Sequence, residues 1–518
     1  MTIDRRRLIG TGLAAPVILS FATRGAWAAA ATPFTLGVAS GEPWADSVVL
    51  WTRLAPRPYD ADGGMGSAPV AVRWEVAEDE KFARIVRRGT ARAEAKEGHS
   101  VHVEVAGLRP GGIYHYRFIA GGVASPTGRT RTAPARDAAV DRLRLCFGSC
   151  QNYEVGHYAA YRHIVADDPD LVLFLGDYIY ETAPENHVRT HVNPEPFDLA
   201  GYRVRYANYK TDPLLQAAHH AAPWAVIWDD HEVANDYANA LDENNSDPVA
   251  FLRRRTAAYQ AYWEHMPLRR SAHPDGTAMR IYRTLDWGKL AQIQLIDDRQ
   301  YRGPRACQPP ELLANHEKYL KLIPDCPDRT AANRTMLGAP QERWLDATLG
   351  QSRATWNLLA QQTLMASLER IDPIHPEGQP SLYTGDTWAT YPAARDRIIR
   401  RWADAGTSNP IALGGDVHAF VAGDMHHPDR PDGPPVASEF VGGSITSLFH
   451  DPQLKAEAKA CRLAFAENEV HGYGRVDVTP KGADIVFRGL RDATRPDSNA
   501  YDLVRFAVEP GRPGLHIA

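Results

Sequence analysis

The sequence predicts a small all-β domain followed by a larger α/β domain with β-rich supplements. A chain of 518 residues exceeds the size that one hydrophobic core usually serves, so two or more domains are expected. Short apolar strands separated by turn residues fill residues 32–133, as in all-β domains. From about residue 140, apolar strands alternate with helical segments, which predicts an α/β domain over residues 140–518.

The first 28 residues are predicted to be a signal peptide and not part of the fold. Arg5, Arg6 and Arg7 precede an apolar stretch, and Ala26-Trp27-Ala28 has the small residues of a cleavage site. The paired arginines favour the twin-arginine export machinery as a partner, and an ordinary secretory signal is the alternative. We therefore expect the protein in the periplasm or outside the cell. No later segment has 18 uninterrupted apolar residues, so no transmembrane segment is expected after signal removal.

The all-β segment is predicted to form a sandwich. Its strands are expected at residues 48–52, 70–76, 102–105 and 114–118, with turn residues between them. Residues 108–118 are similar to the corner before a late strand in fibronectin-like and immunoglobulin-like sandwiches. The histidines of this domain are scattered. A structural role is therefore expected, or a role in shaping the entrance to a site elsewhere.

The charge balance and the cysteines bear on the surroundings in which the protein works. A net charge of −5 and a pI near 6.5 give no support to a nucleic-acid-binding surface. Cys307 and Cys326 lie in a polar, proline-containing insert, and an oxidising compartment would let them form a disulfide. Cys146 lies inside an apolar strand and is interpreted as a small core residue.

Six apolar strands of the α/β segment end at polar residues that can carry chemistry. In chain order these ends hold Cys150; Asp177 and Tyr180; Asp230 and His231; Asp297 and Asp298; Gln361 or Gln362; and Asp416 and His418. Helices are expected at residues 157–166, 249–265, 340–350 and 391–404. If the strands form one sheet, several acids and two histidines meet at one edge, where acids at close quarters need a cation. Oxygen-rich ligands around a carboxylate that can bridge two ions predict a binuclear hydrolytic site.

Four short blocks carry a resemblance to a known family. They are Gly-Ser-Cys-Gln at 148–151, Gly-Asp-Tyr-Ile-Tyr at 176–180, Trp-Asp-Asp-His-Glu at 228–232 and Gly-Gly-Asp-Val-His at 414–418. With these blocks behind a twin-arginine signal and a β-sandwich, the chain resembles the calcineurin-like metallophosphoesterases, and most closely their PhoD-like (alkaline phosphatase D) family. The resemblance covers nearly the whole chain. It implies a four-layer αββα catalytic domain and an exported, metal-dependent hydrolase of phosphoric esters.

The resemblance also implies an iron site. Asp177 matches the carboxylate that bridges two ions in the family. Tyr180 would bind the harder ion as a phenolate, which suits Fe³⁺. Cys150 would be a thiolate ligand of the same iron, and His418 would complete its protein ligands. From the residues alone, Tyr180 equally fits a core aromatic residue, and Cys150 fits an inert buried thiol.

A second, oxygen-rich site follows from the same resemblance. Asp230 and Asp416 replace nitrogen or amide ligands of relatives, which favours one or two Ca²⁺ ions. Gln361 or Gln362 stands where relatives often have a histidine, so the number of ligands at this site stays open. Asp297 fits either a ligand or an acid that supports one.

Two residues are candidates for direct catalysis. His231 matches a histidine that acts as an acid or phosphate binder in the superfamily, and it equally fits a residue that only orients Asp230. Arg299 is a candidate for a phosphate contact, as is Arg302, because a guanidinium can bind phosphate through two hydrogen bonds. A surface salt bridge is the alternative for both arginines. Asn235 and Asp236 fit either oxygen groups around the outside of the metal site or a helix cap. The expected nucleophile is a metal-held hydroxide, since a cation lowers the pKa of water.

The substrate class stays open at this stage between a small phosphate ester and a phospholipid-type diester. Phosphomonoesters present a dianion, so extra cationic side chains would favour them, whereas an open groove would favour diesters. A phospholipase D-like phosphodiesterase is the alternative enzyme. The non-enzymatic alternative is a surface-binding β-sandwich protein.

Overall fold

The computed structural model describes residues 32–182, 187–370, 382–448 and 451–518. The predicted signal peptide at residues 1–28 lies outside these ranges. Within them, no helix has both the length and the apolar character that crossing a lipid bilayer requires.

Helices and strands alternate through the α/β domain, and strands alone make up the N-terminal domain apart from a single 3₁₀ turn. The helices are α1 Ala159–Ala166, α2 Leu199–Lys210, α3 Pro213–Ala221, α4 Pro248–His265, α5 Pro310–Ala314, α6 Gly338–Gln351, α7 Pro392–Asp404 and α8 Leu454–Ala460. The strands up to the middle of the chain are β1 Val38–Gly41, β2 Ser47–Arg53, β3 Val70–Ala77, β4 Ile85–Ala93, β5 Ser100–Ala106, β6 Ile113–Ala120, β7 Val123–Ala124, β8 Gly128–Arg131, β9 Leu143–Gly148, β10 Leu171–Phe174, β11 Trp224–Val226 and β12 Arg283–Trp287. The remaining strands are β13 Ala291–Leu295, β14 Leu322–Ile323, β15 Trp356–Ala360, β16 Tyr383–Thr384, β17 Pro410–Gly414, β18 Phe420–His426, β19 Pro435–Gly442, β20 Phe465–Glu467, β21 Gly472–Thr479, β22 Gly482–Leu490, β23 Ala500–Glu509 and β24 Arg512–Ile517.

Two facing sheets form an N-terminal β-sandwich. One layer consists of β1, β2 and β5, and the other runs β4-β3-β6-β7 with β8 beside β6. Along β6, Tyr114, Tyr116 and Phe118 are buried while the residues between them are partly exposed, as the alternation of a strand requires. The Tyr114 hydroxyl accepts a hydrogen bond from the Arg109 backbone N–H (2.9 Å) and fixes the corner before this strand. The predicted sandwich is confirmed.

The sandwich is joined edge to edge to the α/β domain. β1 pairs in parallel with β11 at Gly41 and Trp224, which produces one ten-stranded sheet with the order β24-β23-β22-β21-β9-β10-β11-β1-β2-β5. A Cβ atom at Gly41 would lie 2.5 Å from the Pro267 carbonyl oxygen, so this close approach requires glycine. The two predicted domains therefore share a continuous sheet.

The α/β domain has two central sheets with helices on both outer sides. The second sheet has the order β12-β13-β15-β17-β19-β18-β20. Phe487 of β22 contacts Phe420 of β18 and Phe440 of β19 across the space between the sheets. Trp224 of β11 contacts α1 and α3 on the outside of the first sheet, and α6 and α7 pack against the second sheet around Trp402. The four-layer αββα arrangement is confirmed.

The six strands that carry the candidate residues lie in two sheets. β9, β10 and β11 are parallel neighbours in the first sheet. β13, β15 and β17 are parallel neighbours in the second. The condition considered from the residues alone, that the strands form one sheet, is not met, and the two sheets agree with the four-layer arrangement that the resemblance implied. The six carboxyl ends still converge, because parallel neighbours end at one edge and the two sheets face each other.

The predicted helices are present as α1, α4, α6 and α7, with each end within two residues of the expected position. Helices α2 and α3 were missed, as were the short helices α5 and α8. The buried side of α2 consists of tyrosines together with Arg205, Asn208 and Lys210, so it shows no apolar stripe.

A disulfide joins Cys307 and Cys326, as predicted, with their Cα atoms 6.2 Å apart. It closes a segment between β13 and α6. We call residues 307–326 the disulfide insert.

Candidate metal centre

The carboxyl ends of the two sheets bring potential metal ligands together in three overlapping groups. The first contains Cys150, Asp177 and His418; the second contains Asp177, Asp230 and His231; the third contains Asp229, Asp230 and Asp416. Within each group the ligand atoms lie within 4.8 Å of one another. Asp177 belongs to two groups, which is the position that a bridging carboxylate needs.

Tyr180 belongs with the first of these groups. Its hydroxyl donates a hydrogen bond to Asp177 Oδ2 (2.8 Å) and lies 3.1 Å from Nε2 of His418. The Ser447 hydroxyl donates a hydrogen bond to the hydroxyl oxygen of Tyr180 (2.7 Å). The phenol therefore points at the candidate ligands Asp177 and His418, and Ser447 is a further partner of its oxygen.

The backbone at four candidate ligands adopts the left-handed conformation that is uncommon for residues other than glycine. Cys150, Asp177, Asp416 and His418 have φ values of 61°, 56°, 65° and 49°. Such strain persists where the surrounding structure enforces it, and it clusters at functional sites. Gly176 shows why the turns are tight, since a Cβ atom there would lie 2.3 Å from the Cβ of Asp229. The glycine before Asp177 thus lets two strand ends approach.

Glu232 holds the ends of β10 and β11 together and was missed from the sequence. Its buried carboxylate accepts hydrogen bonds from the backbone N–H groups of Asp177 (3.1 Å), Tyr178 (2.6 Å) and Asp229 (2.8 Å). Burial raises the pKa of this carboxyl group to about 7, against the effect of the three donors. A glutamate beside a candidate histidine gave no sequence signal, because two of its three partners, Asp177 and Tyr178, follow a different strand.

Glu181 positions His231 and was also missed. Nδ1 of His231 lies 2.7 Å from Glu181 Oε2, which leaves Nε2 for the cavity that the histidine lines. Burial lowers the pKa of His231, but the carboxylates of Glu181, Asp230 and Asp177 outweigh burial and raise the pKa well above its ordinary value. In the absence of cations, this imidazole is therefore held in its charged form.

The pKa of His418 shifts in the opposite direction from that of His231. Its Nδ1 lies 2.9 Å from the Leu448 carbonyl oxygen, so Nδ1 carries the proton and Nε2 presents its lone pair. Burial lowers the pKa of His418 to about 4. A neutral imidazole with Nε2 free is the form that binds a metal ion.

Burial disfavours the charged form of several other candidate ligands. Burial, reinforced by the Asp177 carboxylate, raises the pKa values of Cys150 and Tyr180 well above their ordinary range. Burial likewise raises the pKa of Asp177, and that of Asp416 to about 7. Oδ2 of Asp229 and Oδ1 of Asp230 are buried without a hydrogen-bond partner. Bound cations would satisfy these oxygens and favour every deprotonated form, so the residues present fit a metal centre.

Arg299 lies among the acids and does not line the cavity. Its fully buried guanidinium group forms salt bridges with five carboxylates, which belong to Asp229, Asp230, Asp298, Asp386 and Asp416. The guanidinium group of Arg302 likewise forms salt bridges with Asp386 (2.6 Å) and Asp298 (3.4 Å). The structure thus places both arginines differently from the expected phosphate contact. Asp386 gave no sequence signal, since it follows the short strand β16 and not one of the six long strands.

The other strand ends serve the scaffold. Asp297 accepts hydrogen bonds from Trp228 Nε1 (3.1 Å) and from backbone N–H groups of its own turn. The Gln362 side chain donates to the carbonyl oxygens of Trp228 (2.9 Å) and Ile296 (3.0 Å). Their side chains therefore tie the strand ends to one another, and Asp297 belongs to none of the three ligand groups.

A cavity of about 330 Å³ opens over the centre. Its lining includes Asp177, Asp230, His231, Asp416 and His418. Asn235, Asp236, Leu364, Leu368 and Leu454 also line it, together with Tyr319, Lys321 and Leu322 of the disulfide insert. The side chains that carry the chemistry thus face a space large enough for a small organic ester.

Comparison with known proteins gives a consistent result. A family model described as PhoD-like phosphatase matches residues 145–487, and one described as its N-terminal domain matches residues 20–134. Alkaline phosphatase D of Bacillus subtilis (strain 168) is 41% identical over 536 aligned residues, covering 99% of this chain and 89% of the relative. A solved structure of PhoD superposes with a TM-score of 0.88 at 41% identity, over 94% of this chain and 92% of the other.

Proposed function

Since the chain belongs to the PhoD-like phosphatase family and is a phosphoester hydrolase, we propose that its active centre holds two unlike kinds of cation on the three ligand groups. The observation that carries this proposal is the overlap of these groups at Asp177 and Asp230. A carboxylate shared by two groups can bridge two ions, which is the arrangement that hydrolytic binuclear centres use. The non-enzymatic alternative, a surface-binding sandwich, is not supported for a member of an enzyme family.

We assign an Fe³⁺ ion to Cys150, Asp177, Tyr180 and His418. The supporting observations are the Tyr180 hydroxyl beside Asp177 and His418, and the thiol of Cys150 in the same group. A thiolate, a phenolate and an imidazole together favour a transition metal over Ca²⁺ or Mg²⁺, which prefer oxygen ligands.

We assign one or two Ca²⁺ ions to the oxygen-rich side of the centre. Asp177, Asp230 and Asp416 were expected there from the sequence, and Asp229 joins them because its Oδ2 is buried without a hydrogen-bond donor. Hard carboxylate oxygens suit Ca²⁺. The salt bridges of Arg299 to Asp229 and Asp416 would hold these carboxylates in place, so we assign this arginine a positioning role.

The bound cations would neutralise the acids and lower the pKa of water for attack on phosphorus. His231 would donate a proton from Nε2 to the leaving oxygen, or bind the phosphoryl group, since Glu181 holds the opposite nitrogen. Glu232 would keep Asp177 and Asp229 at a fixed separation through its three backbone contacts.

We propose a small phosphate ester as the substrate, in agreement with the size of the cavity. A phospholipid-type diester remains the second candidate, favoured by the leucines that line the same cavity.

The paired arginines near the N-terminus support export by the twin-arginine machinery, and with it a periplasmic or secreted location for residues 32–518. We propose domain limits near residues 133 and 140.

Metal analysis of the purified protein, run alongside hydrolysis rates on a phosphomonoester and a phosphodiester, tests these assignments. We expect iron and calcium in whole-number ratios to protein, and turnover of at least one ester. A fully active preparation without iron would refute the assignment to Cys150 and Tyr180. A fully active preparation without calcium would refute the second site.

A further inference from the structure

We propose that Lys321, carried by the disulfide insert, contacts the phosphate group of the substrate. Lys321 lines the cavity and shares this space with Asp177, Asp230 and His418. The inference rests on the proposed function of the site and adds a binding residue that belongs to none of the six strand ends.

The backbone of Lys321 is fixed from both sides. Its carbonyl oxygen accepts a hydrogen bond from the Gly385 N–H (2.7 Å), and the next residues form β14, which pairs with β16. The Cys307–Cys326 disulfide closes the insert around it. The neighbouring Tyr319 is held by its backbone bond to Glu243 (3.1 Å) and by Arg305 over its ring (3.9 Å). An exposed lysine on a free loop would lack such anchoring, so the position of Lys321 is built into the fold.

The charge of Lys321 is only partly engaged. Nζ lies 2.8 Å from Asp236 Oδ2, and the side chain remains 61% exposed. An ammonium group has three donors, and one carboxylate oxygen occupies one of them. Partial burial lowers the pKa of Lys321, but Asp236 outweighs burial and raises it, so the group stays charged in alkaline solution. Two N–H donors are therefore left for an anion in the cavity.

The other cationic side chain of the wall is less suited to this role. Among the described residues that line the cavity, Arg370 is the one arginine, and two acids, Asp451 and Glu457, face its guanidinium group. Its charge is therefore balanced within the protein, whereas a phosphate oxygen can share the ammonium group of Lys321 with Asp236.

Lys318 supplies a matched control on the same insert. Its side chain is 67% exposed and pairs with Glu243 (2.9 Å), so it resembles Lys321 in exposure and in pairing with an acid, but it does not line the cavity. Any effect of the overall charge of the insert should appear equally in Lys318→Met and Lys321→Met.

The test is calorimetric titration of inorganic phosphate into the metal-loaded wild type and both variants, with metal content measured in each. We expect phosphate binding to weaken about tenfold or more in Lys321→Met, since one charge-assisted hydrogen bond is lost, and to be unchanged in Lys318→Met. Lys321→Arg should recover most of the affinity. For a chromogenic aryl phosphate, KM should rise more than kcat falls.

The outcomes separate this inference from the proposed function. Wild-type affinity for phosphate in Lys321→Met, equal losses in both variants, or no phosphate binding by the loaded wild type would each overturn the contact. A loaded wild type that binds phosphate through Lys321 but hydrolyses no ester would refute the proposed function and leave the contact standing.

Discussion

Replacing the buried Lys210 with methionine should stabilise the protein near neutral pH. Lys210 ends α2, and its ammonium group lies 4.3 Å from the ring centre of Trp51 and 5.1 Å from that of Tyr178. Trp51 belongs to the N-terminal sandwich, and Tyr178 follows the proposed bridging ligand Asp177. Methionine is unbranched and of similar length, so it can fill the same space without a charge to desolvate.

The size of the effect follows from the pKa of the lysine. Burial lowers the pKa of Lys210 from 10.5 to about 7. Between these values the unfolded chain holds one proton more than the folded protein, so the unfolding free energy rises with pH by about 1.4 kcal/mol per pH unit. Over the whole interval the free energy of unfolding rises by about 5 kcal/mol, and this stability is fully lost once the pH falls below about 7. Attraction between the ammonium group and the aromatic rings offsets up to about 2 kcal/mol of this cost. The free energy of unfolding of the variant should therefore exceed that of the wild type by about 3 kcal/mol at neutral pH.

The assay compares thermal unfolding midpoints of metal-loaded wild type and Lys210→Met from pH 7 to pH 10. We expect the variant to unfold several degrees higher at pH 7, and the two midpoints to converge toward pH 10. Lys318→Met, which removes an exposed lysine, should leave the midpoint nearly unchanged at every pH. A Lys210→Met midpoint that is lower than wild type by the same amount at all pH values would refute the reasoning, because a charge-independent loss of packing has no pH dependence.

Further predictions concern the metal centre. Asp177→Asn should abolish ester hydrolysis and lower the content of both metals together, because this carboxylate belongs to two ligand groups. The control is Asp484→Asn, which changes an exposed carboxylate. Activity retained in Asp177→Asn would end the binuclear assignment. Tyr180→Phe should remove the visible charge-transfer absorption expected of a ferric phenolate, and an unchanged spectrum would show that the phenol is not a ligand. A calcium chelator should inactivate the enzyme, and added Ca²⁺ should restore it; full activity in excess chelator would count against the oxygen-rich site.

Local patterns explain why much of the fold was predictable. Strands such as β10 and β17 are short apolar runs that end at glycine and an acid, and both were located from the sequence. The amphipathic helix α7 was found in the same way, because its buried residues Ile398, Ile399 and Trp402 recur on one face. Helix α2 was missed, because its buried face is aromatic and polar and its partners come from other segments.

The residues that hold the candidate ligands in place were not predicted from the sequence. Glu181 and Glu232 fix His231 and the Asp177 turn, and Arg299 binds Asp386 and Asp416, which lie 87 and 117 residues away in the chain. No periodicity or motif spacing links residues at such separations. These contacts exist only because the edges of two sheets meet.

The sequence by itself determined the kinds of candidate ligand and their place after strands, since a thiol, a phenol, acids and histidines each follow an apolar run or a family block. The tertiary structure alone decided that the six ends belong to two facing sheets, that Arg299 is shared among five carboxylates, and that the disulfide insert brings Lys321 to the cavity. The physical reason is that side-chain chemistry and strand propensity are local properties of the chain. Which strand ends face one another depends on packing between distant segments, and that packing sets the charges, distances and exposure on which binding and catalysis depend.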